Sequence, residues 1–505
     1  MKKTSLHILT VYLGVLLAAG ALYGVSCAPG ALWQDSGLIQ YRTWHHDIEG
    51  FLGLALSHPL FYLLAIGAKL TGLGEFGHRV NLVSALAGAV AVANLYLLVR
   101  LWLGNSFPAL IAAGTLAVSH TFWQHASIAE TYTLWTALFL GELIVLLQYT
   151  KTKQVTYLYA LGLLNGLAIA VHMLAVIPLV CYVVLLAVRL GTRAIRFRNV
   201  LVVALLWIVG ALPYEYLIVR HLIAGGDVVG TLASAAFGDR WQGDVLNVAL
   251  SWRIVKENIL LLLLNFPTPN VLLFFIGCLA LRHIEAPPAF RNVVVALLVL
   301  FFVFAFRYTV SDRYAFFIPF YSLAAVAVGL GARFVQERLH GQVPWVFMGI
   351  FTLLPVAVYG VAPGWAERAS LPIGTRADVA YRNDYTYFLQ PWKTGDDGAA
   401  RFAQDALATA DPNAVIYADT TTVAPLLYVQ EVEDKRPDVK IVTGIVRSKG
   451  APPYDEQTLE QLIDSRSIYV TSDQAGYCPK FVLGRYDLVK AGVLWRVVKP
   501  SRPAD

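Results

Sequence analysis

Carboxylates, imidazoles and guanidinium groups gather in a few short stretches of this sequence, and Asp35 heads the candidates. It lies in Trp33-Gln34-Asp35-Ser36-Gly37, eight residues after a long apolar run ends at Cys27. A carboxylate held at the edge of an apolar layer is partly desolvated and can act as general base toward an alcohol or amide, a role typically supplying ~10²–10⁴ in rate. An Asp ahead of Ser-Gly is also ordinary turn chemistry, so the spacing leaves base and helix cap equally open. His58-Pro59 begins a further apolar stretch. A helix start alone explains the proline. The imidazole could hydrogen-bond a phosphate, orient Asp35, or serve structure only.

Two further clusters carry the same ambiguity. In the run from Phe122 to Tyr132, Glu130 is a candidate for binding an acceptor or a sugar, or an inert loop acid, while Trp123 and Tyr132 suit a membrane interface. In Arg307-Tyr308-Thr309-Val310-Ser311-Asp312-Arg313-Tyr314, two guanidinium groups suit a lipid phosphate. The alternative is an Asp312–Arg313 pair with Arg307 snorkelling. Glu142 and Glu215 sit inside apolar runs, where a carboxylate is a functional candidate by default. The four cysteines show neither metal spacing nor a disulfide framework.

The elements that must position these groups follow from composition. The 505 residues are 57% hydrophobic and 14% charged, against roughly 25% charged in soluble proteins. Residues 1–361 carry 22 Lys/Arg and 14 Asp/Glu; residues 362–505 carry 17 and 19. A membrane part is therefore followed by a soluble one. The net charge of +6 arises in the membrane part, where basic residues orient helices, and does not argue for a nucleic-acid partner.

Runs near the ~20 residues needed to span a bilayer fall at 6–27, 80–103, 109–122, 131–150, 157–171, 173–188, 200–219, 259–281, 293–306, 314–332 and 343–361. The expected fold class is a polytopic α-helical membrane protein of about eleven transmembrane helices with a small C-terminal extracytoplasmic α/β domain. With the N-terminus in the cytoplasm, thirteen Lys/Arg and two Asp/Glu fall in inner segments, and nine and ten in outer ones. That asymmetry fits the positive-inside rule. The first outer loop, 28–79, contains an apolar stretch, 59–73, charged only at Lys69 and too short to span, which reads as a helix lying in the interface. The outer loop 220–256 has room for a lid. In the tail, 414–418, 439–446 and 467–470 read as strands and 423–430 as a helix.

In chain order, these segments resemble the glycosyltransferase C (GT-C) superfamily, especially its protein O-mannosyltransferase-like bacterial branch. The resemblance rests on Trp-Gln-Asp35-Ser-Gly, His58-Pro-Leu-Phe-Tyr-Leu-Leu, Gly77-His-Arg79-Val-Asn-Leu-Val-Ser84, Phe122 through Glu130-Thr-Tyr, and Asp312-Arg-Tyr-Ala-Phe-Phe-Ile-Pro319. Pro425-Leu-Leu-Tyr-Val-Gln430 and Arg436-Pro-Asp-Val439 extend it into the tail. It implies an inverting transfer of a mannose-like sugar from a polyprenyl-phosphate donor to a protein or glycan hydroxyl, outside the cytoplasm of a bacterial inner membrane. Asp35 would be the base. His58 falls on the position that contacts the lipid phosphate in related members, and Arg313-Tyr314 matches the Arg-Tyr before a Pro-containing span. Arg313, Arg79 and either His58 or Lys69 would stabilise the departing phosphate; Arg307, Asp312, Tyr314 and Glu130 complete the expected binding set. Asp35 is followed by Ser36 where mannosyltransferases often carry Glu, and Leu60 stands where a second Pro is common. No cofactor or metal is expected. A secondary transporter, or a non-catalytic protein that holds lipid-linked sugar, is the alternative.

Overall fold

A computed structural model describes residues 2–310, 312–339, 341–373, 376 and 379–500. Ser311, inside the expected 307–314 cluster, lies outside them. Helix α1 (Lys2–Ser26) leads into a first loop carrying α2 (Gln34–Trp44) and α3 (Pro59–Leu70). There follow α4 (Phe76–Leu103), α5 (Ser106–Ala117), α6 (His120–Ser127), α7 (Tyr132–Thr152), α8 (Thr156–Val171), α9 (Val176–Gly191) and α10 (Phe197–Ile223). The second loop holds α11 (Val228–Phe237) and α12 (Gln242–Val245). The helical part closes with α13 (Trp252–Asn265), α14 (Val271–Ala280), α15 (Pro288–Arg307), α16 (Ile318–Arg338) and α17 (Val343–Arg368). Among the described residues, eight helices are long and apolar enough to cross a membrane, and five shorter ones are also apolar. This is a multi-pass membrane protein.

Two of the expected spans are divided. The run 109–122 stops at Ala117, where the Ser119 hydroxyl donates to the Leu116 carbonyl (2.9 Å) and Ser119 turns extended before α6 begins. Such local side-chain bonds compete with helix propagation. The run 259–281 breaks at Phe266-Pro267-Thr268-Pro269-Asn270, because proline can neither donate nor continue a helix. Asn270 closes the gap by donating to Met348 O (3.0 Å) and Thr352 Oγ1 (2.9 Å) on α17. Irregular backbone at membrane depth is tolerated where protein covers it in this way.

The bundle centres on α16, buried at every position from Ile318 to Ala332. It meets α14 backbone to backbone: a Cβ on Gly277 would stand 1.8 Å from Ala327 O, and one on Gly331 2.0 Å from Leu273 O. Small residues permit such contact between membrane helices. Glu142 has a structural explanation. Tyr182 Oη (2.9 Å) and Asn165 Nδ2 (3.3 Å) donate to it, and Trp207 Nε1 donates to Asn165 Oδ1 (3.0 Å), which ties α7, α8, α9 and α10 together.

The tail forms a five-stranded sheet of β1 (Val415–Tyr417), β2 (Lys440–Val442), β3 (Ile468–Val470), β4 (Asp487–Ala491) and β5 (Leu494–Val498), in the order β2-β1-β3-β5-β4. β1 pairs parallel with β2 and β3, with Val415 opposite both Lys440 and Ile468; β5 pairs antiparallel with β3 and β4. The strand expected over 439–446 ends at Val442 because Thr443 closes a turn, its N–H donating to Val446 O (2.9 Å). Helices α18 (Asp384–Leu389), α19 (Gly398–Thr409), α20 (Val423–Glu431) and α21 (Glu456–Leu462) accompany the sheet. The domain boundary expected at 361/362 falls inside a helix, since α17 continues through Pro363-Gly364 to Arg368. The two parts also share a core: Trp33 and Leu38 of the first loop pack with Phe402, Ala406, Ile416, Leu426 and Ile441 of the tail.

Candidate active site

Asp35 is set in place by the short helix it starts. Gln34 adopts a left-handed φ of +52° and donates its N–H to Thr421 O (3.3 Å). On the other side, Gln40 receives the Leu32 N–H (3.1 Å) and donates to Gly30 O (3.0 Å) and Asn81 Oδ1 (3.1 Å), binding the loop to α4. Gly37 makes the fit possible. A Cβ there would lie 2.2 Å from Leu32 O and 2.7 Å from the Ala424 Cβ, so α2 can touch α20 only without a side chain.

The Asp35 carboxyl caps nothing. The α2 N-cap is Trp33 with no side-chain bond, and Asp35 has no hydrogen-bond partner among the described residues. Its side chain is accessible, yet desolvation by the surrounding protein raises its pKa from the ordinary Asp value. An accessible group in so dense a setting lines a deep recess. The helix-cap alternative is therefore excluded, while the group remains free for chemistry.

Glu130 and Asp312 face the same recess. Glu130 has its backbone pinned to α4, where Ser84 Oγ donates to its carbonyl and accepts its N–H (both 2.9 Å), and its carboxylate accepts from Ser36 Oγ (3.0 Å). Burial first, then the negative fields of Asp35 and Asp312, push Glu130 up to about 8; the Ser36 bond works against that rise. Burial and then the Asp35 charge push Asp312 up to about 6. Near neutral pH the three acids therefore do not all ionise.

Aromatic groups run in a continuous arc from His58 to Tyr314, where the charges of Asp35, Glu130 and Asp312 are felt. His58 stacks on His172 (5.0 Å), His172 meets Tyr132 (5.1 Å), Tyr132 meets His125 (5.2 Å), and His125 meets Tyr314 (5.6 Å). Tyr314 continues to Phe388 of the tail (5.5 Å), whose carbonyl takes His120 Nε2 (2.7 Å). Tyr387, beside Phe388 on α18, feels the charges of Asp35 and Glu130. The tail thus forms one wall.

The expected residues divide into two groups. Asp35, Glu130, Asp312 and Tyr314 meet, and His58 joins them through the aromatic arc. His58 Nδ1 donates to Val171 O (2.7 Å), and burial lowers its pKa to about 4. At neutral pH its free Nε2 is consequently an acceptor and cannot donate to a phosphate. The basic residues are engaged elsewhere. Lys69 donates to Trp44 O (2.6 Å) and lies over the Trp44 ring. Arg79 donates to Lys69 O (2.7 Å) at the end of α3. Arg307 donates to Asn247 O, and Arg313 pairs with Glu257 and donates to Asn258 Oδ1 (3.2 Å).

Two cations outside the expected set act on residues of the recess. Arg42, buried on α2, lies 3.9 Å over the Tyr62 ring, donates to Ser57 O (3.2 Å), stands 3.5 Å from Asp47 and exerts its charge on His58. Arg382 lies 4.5 Å over the Tyr387 ring; its side chain is 7% exposed, one terminal nitrogen stands 3.4 Å from Asp384 Oδ1, and Nε and the other terminal nitrogen have no partner among the described residues. Arg42 carried a signal, being seven residues, two helical turns, on from Asp35. Arg382 carried none, since nothing local to it predicts contact with a loop about 350 residues earlier.

The whole-chain geometry has a counterpart. ArnT from Cupriavidus metallidurans, solved bound to undecaprenyl phosphate, superposes with a TM-score of 0.62 over 98% of this chain and 99% of that one, at 14% sequence identity. This chain has the GT-C fold. Residues 56–194 match the family model described as the Protein O-mannosyl-transferase TMEM260 N-terminal domain. Protein O-mannosyl-transferase TMEM260 of Mus musculus is 31% identical over 174 residues, 33% of this chain; the match spans a quarter of that relative's length. The stretch matched by the family model contains His58, Lys69, Arg79 and Glu130, and it excludes Asp35, Asp312 and the tail. The likeness to O-mannosyltransferases thus lies in the sequence of the first third of the chain, and the likeness of the whole chain is one of fold.

Proposed function

We propose that this GT-C protein is a membrane glycosyltransferase that moves a mannose-like sugar from a polyprenyl-phosphate donor to a hydroxyl of a protein or glycan. The reaction takes place on the outer face of a bacterial inner membrane, where the tail domain also lies. One observation carries the proposal: the Asp35 carboxyl is accessible, and unpartnered among the described residues, in a recess between the membrane bundle and the tail. The undecaprenyl phosphate bound to ArnT gives the lipid-phosphate class of donor its precedent.

Asp35 takes the proton from the acceptor hydroxyl as that oxygen bonds to the anomeric carbon. The bond from that carbon to the phosphate oxygen breaks on the opposite face, so the centre inverts and the polyprenyl phosphate leaves with the electron pair. A protonated Glu130 keeps the recess from repelling the anionic donor. Lys69, Arg79, Arg307 and Arg313 have donors committed away from the recess, and the counter-charge for the leaving phosphate falls to Arg382, which keeps two nitrogens beyond the one facing Asp384, with Arg42 behind His58. Tyr314 and Tyr387 offer faces on which a sugar can stack.

The test uses purified protein and a polyprenyl-phosphate sugar labelled in the sugar. Asp35→Asn should lower transfer by ~10²–10⁴ while the protein still elutes as the wild type does. Wild-type transfer by that variant would overturn the mechanism.

A further inference from the structure

At the end of the bundle opposite the tail, a polar cavity of about 540 Å³ is lined by Trp102, Lys151, Arg282, His283, Glu285 and Arg291, among others. The connectivity fixes its place. α4 starts beside the tail, where Gly77 N–H donates to Tyr428 Oη (2.8 Å), and it ends at Leu103 beside this cavity. α7 and α14 also end here, and α15 begins here. The cavity is therefore a full bundle length from Asp35 and takes no part in the chemistry proposed above.

Its construction is specific. Trp102 is buried, packs edge-on against Phe290 (5.0 Å) and donates its indole N–H to Glu285 O (3.1 Å), which fixes the loop that carries Arg282 and His283. Lys151 reaches across from α7, one of its protons bound to Leu101 O (2.6 Å). Among the described residues, neither Arg282 nor Arg291 has a carboxylate partner, and Glu285 pairs with none of the cations around it. Basic residues that only orient helices need to lie in a loop; they need not converge from three elements on one cavity.

The surroundings distinguish a lipid from a free anion. One turn beyond Arg291, Val295 and then Val299 are exposed along the same stripe of α15; on α14, Phe275 and Leu279 are exposed in line with Arg282. The charged cavity thus continues directly into two bare apolar helix faces, which suits a molecule with an anionic head and hydrocarbon tails. We propose that this cavity binds the headgroup of an anionic phospholipid, with its acyl chains lying against α14 and α15. Basic pockets between membrane helices on the cytoplasmic side are suited to such headgroups.

Native mass spectrometry of the full-length protein in detergent, with phosphatidylglycerol or phosphatidylcholine added, tests the proposal. Phosphatidylglycerol should be retained in preference. At about fivefold per cation near an anionic headgroup, Arg282→Ala/Arg291→Ala should weaken that retention about thirtyfold. Arg193→Ala/Arg198→Ala removes the same charge from exposed positions at the same end of the bundle, outside the cavity, and should change retention by less than about threefold. Arg282→Lys/Arg291→Lys should restore retention. Equal loss in the two alanine pairs, equal retention of phosphatidylcholine, displacement of the lipid by millimolar inorganic phosphate, or failure of the lysine pair would each overturn the proposal.

Discussion

At the scale of single residues, the recess is a problem of charge. Asp35 must be ionised to accept a proton, and its raised pKa moves that requirement upward, so activity climbs with pH on the acid side. Glu130, pushed up to about 8 by burial and by Asp35, is mostly protonated at neutral pH and ionises as pH rises through that value. The new negative charge then faces an anionic donor. The expected kcat/KM for the donor is therefore bell-shaped, with an alkaline limb near 8 that Glu130→Gln removes while the acid limb stays. An alkaline limb unchanged in that variant would assign it to another group. The cations give a second expectation. Losing a charge-stabilising donor costs ~10²–10³ in rate, so Arg382→Gln should fall by that amount, with partial recovery in Arg382→Lys. Lys69→Ala, whose ammonium is bound to Trp44 O, should lose less than about tenfold. Steady-state transfer by the three variants, compared side by side, decides between the tail arginine and the loop lysine as the phosphate's partner.

At the scale of elements, what could be read in the sequence was what is local. Pro59 and the apolar run after it gave α3, and the Pro-Thr-Pro of 267–269 carried the break that the span count overlooked, because hydropathy averaged over twenty residues conceals a two-proline interruption. In the stretch from Gly77 to Ser84 the sequence points to Arg79 alone; the structure makes Gly77, Asn81 and Ser84 backbone anchors for the tail, the first loop and Glu130. Asp35, Glu130 and Asp312 were recognisable because each is a carboxylate beside an apolar run. Their convergence, and the diversion of Arg313 to Glu257, depend on helix packing that one-dimensional spacing does not encode. Gly37 shows how narrow the tolerance is. In Gly37→Ala the methyl would overlap Leu32 O and Ala424, and overpacking of that kind costs about 1–3 kcal/mol. A lower thermal midpoint and a tail more readily cleaved by protease are expected, whereas Gly67→Ala, with open space around it on α3, should leave both unchanged.

At the scale of the whole molecule, the membrane part and the tail behave as one body. Trp33 lies in the tail's core against Phe402 (5.6 Å), the buried Lys393 N–H donates to Ser26 O (2.7 Å) at the end of α1, and Tyr428 bonds Glu75 at the start of α4. The first loop is therefore clamped from both sides, and Asp35 owes its position as much to α20 as to the bundle. A shared core makes local opening shared as well, because amides protected by the same buried contacts are released together. Hydrogen exchange on the intact protein should show α2 and α20 opening with similar protection. Trp33→Ala, which removes a large buried side chain at a cost of about 3–5 kcal/mol, should raise exchange in both elements by comparable factors and leave α14 and α16 unchanged. Should α20 keep its protection while α2 loses its own, the tail would be an independent domain resting on the membrane part, and the wall it gives the recess could move during turnover.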